Sequence, residues 1–276
     1  MIKLLTIEFK KVLNYKTFWI LIGLYFVFLA LGIFMAEYIL NNMVDDVNKR
    51  LPLPLPHVRI YFFPDIWQNL TYFASIRYVF ILPAIVVIIL ITNEFTNKTI
   101  RQNIINGMSK KDFLVSKLQF IFVLSILITL VMFLVIVILG VSHSDAQGMA
   151  LFWNKFSFIF AFFIQILTFL IFAFFTGFML RNTGLSVALF TLYSLFIEPI
   201  LYFILKIPPL QPNNISPYLP VTSVLKVVEY PAIPIMQKIM GINLQDQISL
   251  GKCVVPLLYS AIMIGIVFWT MSRKDL

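Results

Sequence analysis

Side chains able to do covalent or metal chemistry are few and scattered along this 276-residue sequence. It has one cysteine, Cys253, and two histidines, His57 and His143. A lone cysteine forms no disulfide within its own chain. Neither histidine has a second ligand at the spacing a metal requires. No Ser/His/Asp, Cys/His or paired-carboxylate grouping stands at an interpretable spacing, which argues against an intramembrane enzyme. The phosphate-cradling pattern G-x-x-x-x-G-K-[ST] is absent; Gly251-Lys252 lacks both the upstream glycine and the following Ser or Thr. The expectation is a chain that is not an enzyme and holds no nucleotide, metal or other cofactor. One carboxylate stands apart. Glu198, in "FIEPI", lies within an apolar run and is a functional candidate, since a charge in lipid is costly. Its alternative role is to partner backbone groups freed by the adjacent Pro199.

The second concentration of polar groups is "TNKTIRQNIINGMSKKDF", residues 96–113. Thr99 is expected to cap a short helix through its hydroxyl. That helix would run for about two turns, through Ile100, Arg101, Gln102, Asn103, Ile104, Ile105 and Asn106. Ile100 and Ile104 would share one face, with Arg101, Gln102 and Asn106 on others. Gly107 stands where a helix stop needs a left-handed residue. Ser109 followed by Asp112 resembles a capping box that starts the next helix. A helix this short is costly to order alone. Headgroups, the rest of the chain or a soluble partner could hold it, and an ordinary solvated basic loop is the plain alternative.

The elements that must position these groups are set by hydropathy. The chain is 61% hydrophobic and 12% charged, with 29 Phe and 11 Tyr. Soluble proteins carry about a quarter charged residues. Apolar runs near residues 18–40, 73–92, 113–140, 152–180, 185–206 and 254–271 are each long enough to cross a bilayer as a helix. The fold class is therefore all-α: a single polytopic transmembrane domain, residues 1–276, with six spans. The first run is too long for a signal peptide and lacks a cleavage site, so it reads as a retained span.

Net charge is +9, which here reads as orientation in a bilayer, with no nucleic-acid partner. Both termini, the loop at 93–112 with the residues up to Lys117, and the turn at Arg181 fall on one side of an even number of spans. More than half of the 21 basic residues lie there in short segments: Lys3, Lys10, Lys11, Lys16, Lys98, Arg101, Lys110, Lys111, Lys117, Arg181, Arg273 and Lys274. The positive-inside rule places that side in the cytoplasm. Residues 1–17 carry an apolar stripe of Ile2, Leu5, Phe9, Val12 and Leu13, with Lys3, Lys10 and Asn14 opposite. This suits an interfacial helix against membrane lipid, the alternative being an N-terminal extension of the first span. On the outer side, Pro52, Pro54 and Pro56 favour an extended segment. Tyr61, Phe62, Phe63, Trp67, Tyr72 and Phe73 read as an interfacial aromatic belt. Residues 207–253 read as a proline-rich extracytoplasmic cap, either a substrate gate or a plain structural cover.

"NEFTNKTIRQNIINGMSKKDFLVSKL" resembles the cytoplasmic loop of type-2 ATP-binding-cassette (ABC) permeases. The amphipathic start, "RNTGLSVALFTLYSLFIEP" and the basic ending "RKDL" are similar to other parts of that family. The resemblance implies the membrane-spanning subunit of a bacterial ABC exporter in the cytoplasmic membrane. It implies a second permease subunit, identical or not, and a separate ATPase subunit that holds ATP and Mg. Thr99, Ile100, Arg101, Gln102, Asn103, Ile104, Ile105 and Asn106 would form the coupling helix, with Arg101, Gln102 and Asn103 as polar contacts and Ile100 and Ile104 as apolar teeth. Gly107 and Ser109 would set the angle back into the membrane. The alternatives are a stand-alone secondary transporter or channel, or a membrane scaffold that recruits a cytoplasmic partner.

Overall fold

The computed structural model describes residues 2–49, 59–105, 107–207, 215–229 and 248–273. The protein is 83% helical, and no strand occurs among the described residues. About three amphipathic turns make α1 (Ile2–Leu13), and Asn14 and Tyr15 separate it from α2 (Lys16–Asn48). Then come α3 (Ile66–Ala74), α4 (Arg77–Thr96), α5 (Thr99–Ile105), α6 (Lys110–His143) and α7 (Ala146–Ala150). The chain continues through α8 (Ser157–Leu180), α9 (Thr183–Leu192), a π-turn at Tyr193–Ile197, α10 (Glu198–Ile204), α11 (Pro220–Leu225) and α12 (Leu250–Arg273).

Six of these segments are long and apolar enough to cross a membrane: α2, α4, α6, α8, the continuous run α9–α10, and α12. Their ends differ from hydropathy alone. The run at 73–92 breaks at Ser75, whose hydroxyl donates to the Tyr72 carbonyl at 2.9 Å. Phe73 therefore ends α3, and the spanning helix starts at Arg77. Residues 152–156 are turns, so α8 begins at Ser157. With 34 residues, α6 is roughly 51 Å long at 1.5 Å per residue and outruns a hydrocarbon core of about 30 Å.

The hub is α8. Its apolar window is 67% buried, against 22% for α2 and 17% for α9–α10. It packs on α4, α6 and α12. Gly177 permits the α4 contact: a Cβ there would meet Ile91 Cγ2 at 2.5 Å and the Ile88 backbone at 3.4 Å. Aromatic side chains fill the shared core, as Phe80 against Phe162 and Phe169 shows. The outward faces of α2 and α9–α10 carry exposed Trp19, Phe28, Phe34, Phe196 and Phe203.

Three of the six aromatics expected to form a belt, Trp67, Phe63 and Tyr61, are instead buried, while Phe62, Tyr72 and Phe73 are half-buried. Trp67 stacks on Phe133 and meets Phe152 and Phe156 edge-on, and its indole N–H donates to the Phe152 carbonyl at 2.8 Å. Tyr61 donates to the Ile33 carbonyl. Burial, with the Glu37 carboxylate nearby, pushes its phenol up to about 12. Tyr61 and Trp67 can be buried because their polar ends find partners inside the protein, and Phe63 packs on Trp67 and Phe152. The run with Pro52, Pro54, Pro56 and His57 lies outside the described residues.

Candidate functional site

The polar island folds as a helix, a stop and a restart, with two departures from its sequence reading. The first is Thr99. It is the first residue of α5 and not the residue before it. It donates to the Glu94 carboxylate, with the Glu94 carbonyl 3.2 Å away. A buried carboxylate needs donors, and Thr99 is one residue past Lys98, whose positive φ of 55° turns the chain sharply enough to bring the two together.

The second departure concerns the faces of α5. Ile100 is 3% exposed and packs into the protein's own core, with Ile104 half-buried beside it. Helical spacing does place them together, but on the face turned back to the membrane domain. They are not free to act as teeth for a partner. The outward face is Arg101, Gln102 and Ile105, with Ile105 76% exposed. Asn103 is half-buried. Asn106 lies outside the described residues.

The stop is built from the backbone. Gly107 has φ 92°, a region that disfavours any side chain. Its N–H donates to the Ile104 carbonyl at 3.0 Å, and that of Met108 to the Asn103 carbonyl at 3.0 Å. This is the Schellman pair of bonds. Ser109 then caps α6: its hydroxyl oxygen accepts from the Asp112 N–H at 3.0 Å and its hydrogen goes to the Asp112 carboxylate at 2.7 Å. The carboxylate takes the hydroxyl's hydrogen instead of reaching back to the Ser109 N–H, so half of a capping box forms.

At the root of α5 lies a group of charges that the sequence reading counted but did not connect. Lys117 of α6 is buried, with its ammonium 2.5 Å from Glu8 Oε2 of α1 and 2.6 Å from Glu94 Oε1 of α4. Lys11 of α1 reaches Glu94 Oε1 at 3.2 Å. The four side chains sum to zero charge, and Thr99 adds α5 to the set. A cavity of about 240 Å³ opens beside them, lined also by Asn14, Asn93 and Asn97. Four elements are thus tied at one point: α1 and α6 by Glu8–Lys117, α4 and α6 by Glu94–Lys117, and α5 to α4 by Thr99–Glu94. The available signal was a Glu at the end of one apolar run and a Lys inside the start of the next, each needing a partner if buried.

This network changes the reading of residues 1–17. Val12 is buried and Phe9 meets Phe120 of α6 at 5.3 Å. Phe9 and Val12 of the apolar stripe are therefore used within the protein, Phe9 against α6. Leu13 is left 47% exposed and Lys10 is also exposed. The side chains of Ile2, Lys3 and Leu5 lie outside the described residues. Near the same end, Asn182 caps α9 by accepting the Leu185 N–H at 3.0 Å, and Arg181 lies over the Phe95 ring at 4.9 Å. Thr92 and Thr183 hydroxyls meet at 2.7 Å.

Glu198 is fully buried, but its partners are not groups freed by Pro199. The π-turn just before it has already widened the helix to admit the proline ring. The Glu198 carboxylate accepts instead from the N–H groups of Val221 at 3.0 Å and of Thr222. These are orphan donors in the first turn of α11. At the other end of α11, the buried Gln165 amide of α8 donates to the carbonyls of Val224 at 3.0 Å and Leu225 at 3.2 Å. A six-residue helix is held at its positive end by an acceptor and at its negative end by a donor. That seats the described part of residues 207–253 on the bundle.

No group of three or more His, Cys, Asp or Glu able to hold a metal occurs among the described residues. Six apolar helices, one of them central, with a charge-locked polar loop at one end, define a polytopic α-helical membrane protein. The model of the ABC-2 family transporter proteins matches residues 4–197, and the chain belongs to that family. It is a membrane component of ABC transporters, a family that associates with an ABC ATPase. The match includes α5 and the whole charge network and stops one residue before Glu198. No curated protein matches the chain.

Proposed function

We propose that this chain is the membrane-spanning subunit of an ABC exporter and that α5 is where a separate ATPase subunit takes hold. The observation that carries this reading is an exposed short helix fixed at its root by buried charges. The outward side chains Arg101, Gln102 and Ile105 are free to touch a partner. The inward contacts, Thr99 to Glu94 and Ile100 to the core, leave α5 little freedom to move apart from α4. A push on α5 therefore passes through Glu94 and Lys117 to α1, α4 and α6 together. Interior packing transmits such displacement because it is dense and poorly compressible.

In this reading the loop and both termini face the cytoplasm, where the basic residues are concentrated. The membrane is a bacterial cytoplasmic membrane. ATP and Mg belong to the ATPase, and this chain contributes no catalytic group. A second permease subunit completes the path for the exported substrate. Closure of the ATPase pair on ATP would move the α5 helices and switch which side of the membrane the path faces.

Affinity purification of the full chain in mild detergent tests the reading. A P-loop ATPase of nucleotide-binding-domain size should copurify, and Arg101→Glu should lose it while still inserting. Ion-gradient-driven transport by the purified chain alone in liposomes, with no ATP, would overturn it in favour of a secondary transporter.

A further inference from the structure

At the end of the fifth span away from α5, two lysines crowd one tyrosine. The ammonium of Lys206 lies 4.7 Å, and that of Lys226 4.5 Å, from the centroid of the Tyr202 ring. Lys226 also donates to the Tyr202 oxygen at 2.9 Å. Among the described residues neither ammonium pairs with a carboxylate. The next lysine along, Lys252, is different: it pairs with Glu229 at 2.6 Å.

Ammonium groups only donate hydrogen bonds. The Tyr202 oxygen already accepts from Lys226, which leaves its O–H to donate. The cluster is thus donors with positive charge, and no acid among the described residues answers them. Two like charges beside one ring also repel, and an anion between them would turn that repulsion into attraction. The position narrows the anion. Tyr202 lies in the last turn of a membrane-spanning helix, the depth at which lipid phosphates sit. On the same helix Phe196, Ile200 and Phe203 are exposed at i, i+4 and i+7 spacing, an apolar stripe that starts beside Tyr202.

We propose that Tyr202, Lys206 and Lys226 bind the phosphate of an anionic lipid whose acyl chains lie along Phe203, Ile200 and Phe196. The two ammoniums and the phenol O–H take the phosphate oxygens. Lys226 is the C-cap of α11, so the lipid ties α10 to the short helix that Glu198 and Gln165 seat. The site is independent of the ATPase reading, as none of its residues touches α5.

The test uses the full chain in detergent, titrated with phosphatidylglycerol, phosphatidylcholine or inorganic phosphate, and read by native mass spectrometry and thermal unfolding. The wild type should retain phosphatidylglycerol over phosphatidylcholine and melt higher with it, and inorganic phosphate should do neither. Lys206→Gln/Lys226→Gln should weaken phosphatidylglycerol binding about thirtyfold, as loss of two lysines near an anionic headgroup implies. Lys252→Gln should bind as wild type. If the double variant does not fold, Tyr202→Phe, which keeps the ring, should still bind severalfold more weakly. Unchanged retention in these variants, or no preference in the wild type, would overturn the proposal. Stabilisation by inorganic phosphate alone would mark a free-anion site and overturn the lipid as its source.

Discussion

The two ends of the molecule each bury carboxylates, and they satisfy them in opposite ways. At the α5 end, Glu8 and Glu94 meet the ammonium of Lys117, all three side chains at most 10% exposed. At the α11 end, Glu198 meets no cation among the described residues and accepts two backbone N–H groups. The first arrangement joins side chains of three helices, and its attraction is lost with any one member. The second joins a side chain to a helix end and needs an acceptor more than it needs a charge. A charge network suits a joint that must carry displacement between helices. A helix cap suits a lid that must stay seated.

The sharpest way to break this contrast is Lys117→Met. It leaves Glu8 and Glu94 buried with Lys11 as their remaining cation, and should cost about 3–5 kcal/mol in thermal unfolding. Adding Glu94→Gln to that variant should recover part of the loss, because an uncompensated charge is then removed. A simple sum of the two single effects would show that the charges are not one network. At the other end, Glu198→Leu should cost about 2–4 kcal/mol by leaving two buried N–H groups unpaired, whereas Glu198→Gln, which keeps an acceptor, should cost about 1 kcal/mol. If Gln and Leu were equally harmful, charge would matter there as it does at the α5 end. Gly107→Ala should cost about 1–2 kcal/mol through its positive φ, with no lost contact, since nothing lies within 4 Å of its missing Cβ. Arg101→Glu, on the exposed face of α5, should change stability by less than about 0.5 kcal/mol.

Much of this was legible in the sequence, and the remainder was hidden for definite physical reasons. Six spans follow from run length, since lipid permits few other structures. The stop at Gly107 and the cap at Ser109 follow from backbone chemistry that is local. Periodicity correctly put Ile100 and Ile104 on one face, but it cannot say which way a face points. That depended on the turn at Lys98 and on α4 alongside. The Glu8–Lys117–Glu94 network spans 109 residues between Glu8 and Lys117, and nothing local marks it. Thr99 was misread because its hydroxyl was considered only against its own helix, when a buried carboxylate five residues back was the stronger claimant. Glu198 was recognised as unusual, but its partners lie 23 and 24 residues further on.

The claim that the outward face of α5 is where an ATPase docks is tested most directly by photo-crosslinking from single positions. A photoreactive residue at Ile105 should crosslink the chain to a P-loop ATPase in membranes, and one at Ile100 should give only products within this chain. Crosslinking to the ATPase from Ile100 and none from Ile105, or from neither, would contradict the account.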